Sequence, residues 1–142
     1  TGDLVSGEWY QRYLLELHKE FAERLPVPLI LHICGKTVDR MQAITETGFA
    51  AFHYDSKNDP KESMSIVQNQ IALIGNINNP ETLFARGPEK VREEVIDNLE
   101  AGVPLIAPEC AIPLQTPLEN LREIPDSVIA WHQYNDVNNK GE

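Results

Sequence analysis

Two short apolar runs end in residues able to hold a soft metal ion. Leu29-Ile30-Leu31 leads into His32-Ile33-Cys34-Gly35, and Val103-Pro104-Leu105-Ile106-Ala107 leads through Pro108-Glu109 into Cys110. Each run is too short for a helix and is bounded by Gly or Pro, which is how a buried strand reads. Strand side chains alternate faces, so His32 and Cys34 fall on one face about 7 Å apart, at the strand's C-terminal end. Cys110, at the end of another strand, can close on them. One imidazole and two thiols make a tetrahedral zinc set with its fourth position open, the pattern of a catalytic rather than a structural site. Two other readings fit the same residues: small buried cysteines packed as hydrophobes, or a Cys34–Cys110 disulfide. A disulfide needs an oxidising compartment, and neither a secretory signal nor a dense cysteine framework accompanies this pair. A reducing cytoplasm is the expected setting.

The elements that must position these residues follow from periodicity and punctuation. Ser6 caps a predicted helix to about Leu25, with Tyr10, Tyr13, Leu14, Leu17, Phe21 and Leu25 on one apolar face and His18 on the charged, solvated side. Pro26 and Pro28 stop it, and the first strand runs from Pro28 to Ile33. A helix opens after Lys36-Thr37 and stops near Gly48. Phe49 to Tyr54 is the second strand. Asp59-Pro60-Lys61-Glu62 then starts a helix to about Asn69, with Asp as N-cap and Pro at the first helical position. Ile71–Ile74 is the third strand. A short helix from Asn79-Pro80, a longer one from Pro88 to Gly102, and a fourth strand from Val103 to Ala107 follow. A capping box at Thr116-Pro117-Leu118-Glu119 opens another helix, a last helix follows Asp126-Ser127, and the polar tail begins at Asn135.

Helix, then strand and helix in repeated alternation, implies a parallel sheet covered by helices. The candidates are a doubly wound sheet and a TIM barrel, and the strands all end in polar, Pro- or Gly-rich loops of the kind that carry barrel active sites. No Gly-x-Gly-x-x-Gly follows a strand, so dinucleotide binding has no support. The 142 residues suffice for one domain core. With 12 Lys and Arg against 22 Asp and Glu, the net charge of −10 argues against nucleic acid and anionic membrane as partners. No apolar run approaches a membrane span.

Several pieces together resemble the methylcobamide:coenzyme M methyltransferases of methanogenic archaea, within the uroporphyrinogen decarboxylase-like superfamily of (β/α)8 TIM barrels. They are Gly2-Asp3-Leu4-Val5-Ser6, Leu31-His32-Ile33-Cys34-Gly35, Asp55-Ser56-Lys57, Gly75-Asn76-Ile77, Pro88-Glu89 and Ala107-Pro108-Glu109-Cys110. Most are shared across the superfamily; the His-x-Cys with a later Cys is the specific part. The resemblance implies zinc on His32, Cys34 and Cys110, and zinc activation of the coenzyme M thiol. It implies methylcobalamin supplied by a small corrinoid protein, since Asp-x-His-x-x-Gly, the usual cobalamin loop, is absent. It also implies that residues 1–142 are one segment, the C-terminal part of a barrel of about four βα units. The N-terminal half would have to be supplied, and the segment alone would be inactive in methyl transfer. The alternatives are a metal-free decarboxylase of the same superfamily, a zinc methyltransferase using another thiol such as homocysteine, and a non-catalytic docking module.

Five further residues stand near the expected site. Asp55 either orients His32, serves as a weak fourth ligand or caps its loop, and loop capping is the preferred reading. Tyr54 aligns loosely with a metal-ligand glutamate of cobalamin-independent methionine synthase. Glu109 points away from Cys110 and reads as structural. His53 reads as a packed strand-end histidine. Lys57 is either a contact for an anionic substrate tail or a solvated lysine.

Overall fold

The computed structural model describes residues 4–138. Helices α1 (Gly7–Tyr13) and α2 (Leu15–Arg24) precede strand β1 (Ile30–Ile33). Helix α3 (Val38–Thr45), strand β2 (Ala51–Tyr54), helix α4 (Pro60–Val67) and strand β3 (Ala72–Ile74) follow. A π-type helical turn at Asn79–Phe84 and helices α5 (Pro88–Ala101) and α6 (Leu118–Asn138) complete the order. The strands form one parallel sheet in the order β1-β2-β3. The pairing puts His32 opposite His53 and Ile33 opposite Tyr54.

One face of the sheet is sealed by helices. Phe52, Tyr54 and Leu73 pack there with Met41, Ile44, Val67 and Tyr10, all without exposed surface, and Leu31 and Ile33 pack against this cluster. The other face is open. Ile30 is 63% exposed and Leu105 51%, and His32 shares the face of Ile30 by strand alternation. A second cluster, Ile77, Leu83, Val91, Val95 and Ile124, ties α5 and α6 to the π-type turn. Among the described residues no helix is long and apolar enough to cross a membrane.

The cap at the head of α4 forms as the sequence dictates: the Asp59 side chain accepts from the Glu62 N–H at 2.8 Å, with Pro60 in the first turn. Ser6 likewise accepts from the Trp9 N–H at 3.1 Å.

Four expectations are corrected. The single helix to Leu25 is bent into α1 and α2 at Leu14, although backbone bonds from Leu14 N to Tyr10 O and from His18 N to Leu14 O run through the bend. The fourth strand is not a continuous ladder. Its stretch is joined to β3 and the loop after it by isolated parallel bridges, Ile74 with Leu105 and Ile77 with Pro108, because Pro104 and Pro108 have no N–H to donate. The two C-terminal helices are one, α6, with Pro125 inside it, and it runs three residues past the expected start of the tail at Asn135. The Thr116 capping box does not form: its hydroxyl is buried without a hydrogen-bond partner. Residues 139–142 of the expected tail lie outside the described residues.

Candidate metal centre

The three ligand candidates meet at the C-terminal rim of the sheet. His32 is the third residue of β1 and Cys34 stands just past its end. Cys110 is brought over by the bridged stretch that ends at Pro108. His32 Nε2 lies 3.1 Å from Cys34 Sγ, and Cys34 Sγ lies 3.0 Å from Cys110 Sγ. Both cysteines are free, and the sulfurs are well beyond the about 2.05 Å of a disulfide bond. One ligand atom from each of the three residues lies within 4.8 Å of the others. Ligands about 2.3 Å (sulfur) and about 2.0 Å (imidazole nitrogen) from a tetrahedral ion stand about 3.5–3.8 Å from one another, between the two short contacts of the trio and its 4.8 Å limit. The donors are soft sulfur and borderline nitrogen, which suit zinc rather than calcium or magnesium. His32 is exposed and the cysteines half-buried, so the trio is reached from the open face of the sheet.

The hydrogen bonds form a directed chain. His32 Nδ1 donates to the His53 carbonyl at 3.2 Å, so that in the neutral ring Nε2 is the acceptor facing Cys34. The Cys34 thiol can then donate to Nε2, and Cys110 to Cys34. The contact with Cys110, burial and the nearby Asp55 carboxylate push the Cys34 thiol up to about 11. In the metal-free chain Cys34 is therefore protonated at neutral pH and is no nucleophile by itself.

The loops that carry the trio are fixed by buried polar groups. Asp55 Oδ2 accepts from the Gly35 N–H at 2.8 Å, and Oδ1 from the Lys57 N–H at 3.0 Å. Asp55 therefore caps both its own loop and the one after Cys34. Asn58, wholly buried, accepts from the Thr37 N–H at 2.6 Å and donates to the carbonyls of Gly35 and Asp55. Asn76 donates to the carbonyls of Asp55 and Asn58. Gly75 before it has φ +143°, and a Cβ there would stand 2.8 Å from the Tyr54 carbonyl, so only glycine fits. Glu109 is buried and accepts from the Ser56 N–H at 2.9 Å and the Asn79 N–H at 3.0 Å. It joins the loop after β2, the loop after β3 and the Cys110 stretch.

The remaining candidates lie as follows. Tyr54 points into the helix-covered core and donates to Asn98 Oδ1 at 3.2 Å; burial raises its pKa. It stands on the face opposite His32. His53 is on the open face beside His32, their ring centroids 4.5 Å apart, and its Nε2 donates to the Pro108 carbonyl at 2.7 Å. Burial lowers its pKa, against the Pro108 hydrogen bond, and the neighbouring His32 lowers it further. His18 corrects the expectation of a solvated histidine: it is half-buried, its Nδ1 accepts from Tyr10 Oη at 2.8 Å and its ring meets Phe49. Asn58, Asn76 and the bridging role of Glu109 had no local signal, because their partners come from other loops. The matched positions of His32 and His53 at the ends of adjacent parallel strands were the one clue that both histidines share a face.

Residues 1–131 match the uroporphyrinogen decarboxylase (URO-D) family. The chain is 34% identical over 125 residues to the methylcobamide:CoM methyltransferase MtbA of Methanosarcina acetivorans, an overlap of 86% of this chain and 37% of that protein. It is 30% identical to MtaA, a methylcobamide:CoM methyltransferase of Methanosarcina barkeri, over 86% of this chain and 36% of the relative. A solved methyltransferase from Methanosarcina mazei superposes with a TM-score of 0.88 at 26% identity, over 93% of this chain and 40% of that one. The chain thus spans a little over a third of the length of the curated relatives it matches. The strand–helix alternation builds part of a TIM-barrel-type α/β fold. The chain belongs to the uroporphyrinogen decarboxylase family.

Proposed function

We propose that this chain carries the thiol-activating centre of a methyltransferase that moves a methyl group from a methylated corrinoid protein to coenzyme M. The reading rests on one observation above all: the ligand atoms of His32, Cys34 and Cys110 converge within 4.8 Å at the strand ends. The similarity to MtbA and MtaA supports it. His32 through Nε2, and the two cysteines through sulfur, would hold a zinc ion. Bound zinc lowers the pKa of a coordinated thiol and makes it a nucleophile at neutral pH. The chain's own part is positional. Asp55 and Asn58 hold the Gly35–Thr37 turn beside Cys34, Glu109 holds the Cys110 stretch, and the His53 carbonyl fixes the His32 tautomer. The methyl donor would arrive on a separate corrinoid protein.

In this reading residues 1–142 form one segment, the C-terminal part of the barrel, and methyl transfer needs the rest of it. The test is metal analysis of the purified chain and of Cys34→Ala and Cys110→Ala, followed by titration with coenzyme M. The expected result is one zinc per chain, lost in either variant, and about one proton released per coenzyme M bound near neutral pH. Full zinc retention in Cys110→Ala excludes the site. Thiol binding without proton release makes any bound zinc structural.

A further inference from the structure

We propose that His53 is a positioning residue that sets the separation between the His32–Cys34 strand end and Cys110. Its use for metal rests on the functional reading above; its effect on the two thiols does not.

His53 touches both sides of the trio. It lies in register with His32, with the two rings in tilted contact at 4.5 Å and 40°. Its Nε2 donates to the Pro108 carbonyl at 2.7 Å. Pro108 belongs to the stretch bridged to the far side of β3, so the imidazole reaches over the open face from the second strand to the fourth stretch. Cys110 follows two residues later. Beyond it, residues 111–117 form no helix or strand, and the sulfur is held from that side by Asn79, whose Nδ2 donates to the Ala111 carbonyl at 2.9 Å. The bridged stretch is itself interrupted by Pro104 and Pro108, which give no N–H to a ladder. Its hold on the sheet near the site comes from Ile77 N to Ala107 O, Ala107 N to Gly75 O, Glu109 N to Ile77 O, the Glu109 carboxylate, Asn79 Nδ2 to Ala111 O, and His53. Of these, the His53 contact alone runs across the open face and also touches His32.

The chemistry needed at position 53 is a donor at the right reach. Phenylalanine keeps the ring contact and loses the N–H. Glutamine keeps an N–H at similar reach without the ring. Asparagine keeps an amide that falls short of Pro108.

The test compares His53→Phe, His53→Gln and His53→Asn in the 1–142 chain. Leu31→Ala, a packing loss on the helix-covered side of β1, serves as control. Zinc affinity is read by chelator competition. In the metal-free chain, closure of the thiol pair is read with phenylarsine oxide, which forms two As–S bonds and releases water while both thiols lose their protons. Outer-sphere partners of metal ligands typically matter by about 10- to 100-fold. His53→Phe and His53→Asn are expected to lose zinc affinity in that range and to close on arsenic more slowly, while His53→Gln retains most of both. Leu31→Ala should lower the thermal midpoint and leave zinc affinity in place. If His53→Phe does not fold, the Asn and Gln pair carries the comparison. Wild-type-like arsenical closure in both Phe and Asn overturns the proposal, and so does a Gln variant as defective as Phe. A wild-type chain that binds no zinc, yet closes on arsenic faster than Phe and Asn, overturns the metal reading and leaves His53 in its role.

Discussion

His32 and His53 are joined through backbone and ring: the Nδ1 of His32 donates to the carbonyl oxygen of His53 at 3.2 Å. That bond decides which nitrogen is left for a ligand, since a neutral imidazole that donates from Nδ1 presents its lone pair at Nε2. Nε2 is the atom 3.1 Å from the Cys34 sulfur. The parallel pairing of β1 and β2 is what brings the two groups together.

From this follows a pH dependence of metal binding. Cys34, with its thiol pushed up to about 11, holds its proton throughout the neutral range, so an entering ion must displace it. Below that value each displaced proton adds a factor of about ten in apparent affinity per pH unit. Zinc affinity measured by chelator competition from pH 6.5 to 8 is expected to rise with a slope of at least one log unit per pH unit. A flat profile means that Cys34 does not bind the ion as a thiolate.

Glu109 makes a second prediction. Its two carboxylate oxygens each accept one backbone N–H, from Ser56 and Asn79. In Glu109→Gln one of those oxygens becomes an NH2 that faces a donor. Hydrogen bonds to a charged group contribute about 1.5–3 kcal/mol, and an orphaned buried N–H costs a comparable amount. Urea denaturation of Glu109→Gln should show a loss of about that size. Alkylation of Cys110 in the folded chain should accelerate at the same time. Unchanged stability with unchanged Cys110 reactivity removes the clamp.

What the sequence disclosed and what it hid divide along the range of the interaction. The Asp59-Pro60 helix start, the strand ends at Ile33, Tyr54 and Ile74, and the same-face placement of His32 and Cys34 depend on neighbours a few residues away, and all were legible. The bend at Leu14 was hidden, because Tyr13, Leu17 and Phe21 keep helical spacing on either side of it. The apolar content of residues 103–107 reads as a strand, but Pro104 and Pro108 remove the donors that a continuous ladder needs. The fusion of two predicted helices into α6 shows a proline tolerated where neighbouring turns and packing of Ile124 hold the helix. The loop network of Asp55, Asn58, Asn76 and Glu109 joins separate βα units, so no local pattern announces it. The burial of His18 depends on the contact of α2 with Phe49, again a pairing across elements.

The open flank of the sheet yields a third prediction. β1 is an edge strand, Ile30 is 63% exposed on it, and Trp9, Tyr13, Leu17 and Phe21 on α1 and α2, with Leu25 just past α2, are exposed at a spacing of four. An edge strand with unpaired backbone groups pairs with other chains unless covered, and an exposed apolar stripe also invites association. In the reading proposed above, the remaining part of a family-length barrel covers it. The 16.0 kDa chain alone should therefore run above its monomer mass in solution. Tyr13→Lys with Phe21→Lys should shift it toward monomer, and co-expression with the preceding half of a related methyltransferase should give a one-to-one complex. A monomer that forms no such complex contradicts this.

The last prediction concerns Tyr10 and His18. Tyr10 is fully buried, and burial pushes its hydroxyl up to about 12, with Arg40 opposing. Its proton is therefore in place to be donated to His18 Nδ1 at 2.8 Å. Burial lowers the pKa of His18, so the folded chain favours the neutral ring. As pH falls below the ordinary histidine value of about 6.5, the unfolded chain takes up a proton that the folded one resists, and stability declines. Above that value the contribution is fully present; it is lost as pH falls through the folded pKa. His18→Gln removes this titration but retains a polar group beside Tyr10. Urea midpoints at pH 7 and pH 5 should differ less for His18→Gln than for the parent chain. Tyr10→Phe should cost about 0.5–1.5 kcal/mol at pH 7, the usual contribution of one hydrogen bond. An equal acid-side loss in His18→Gln and the parent chain would place the titration elsewhere.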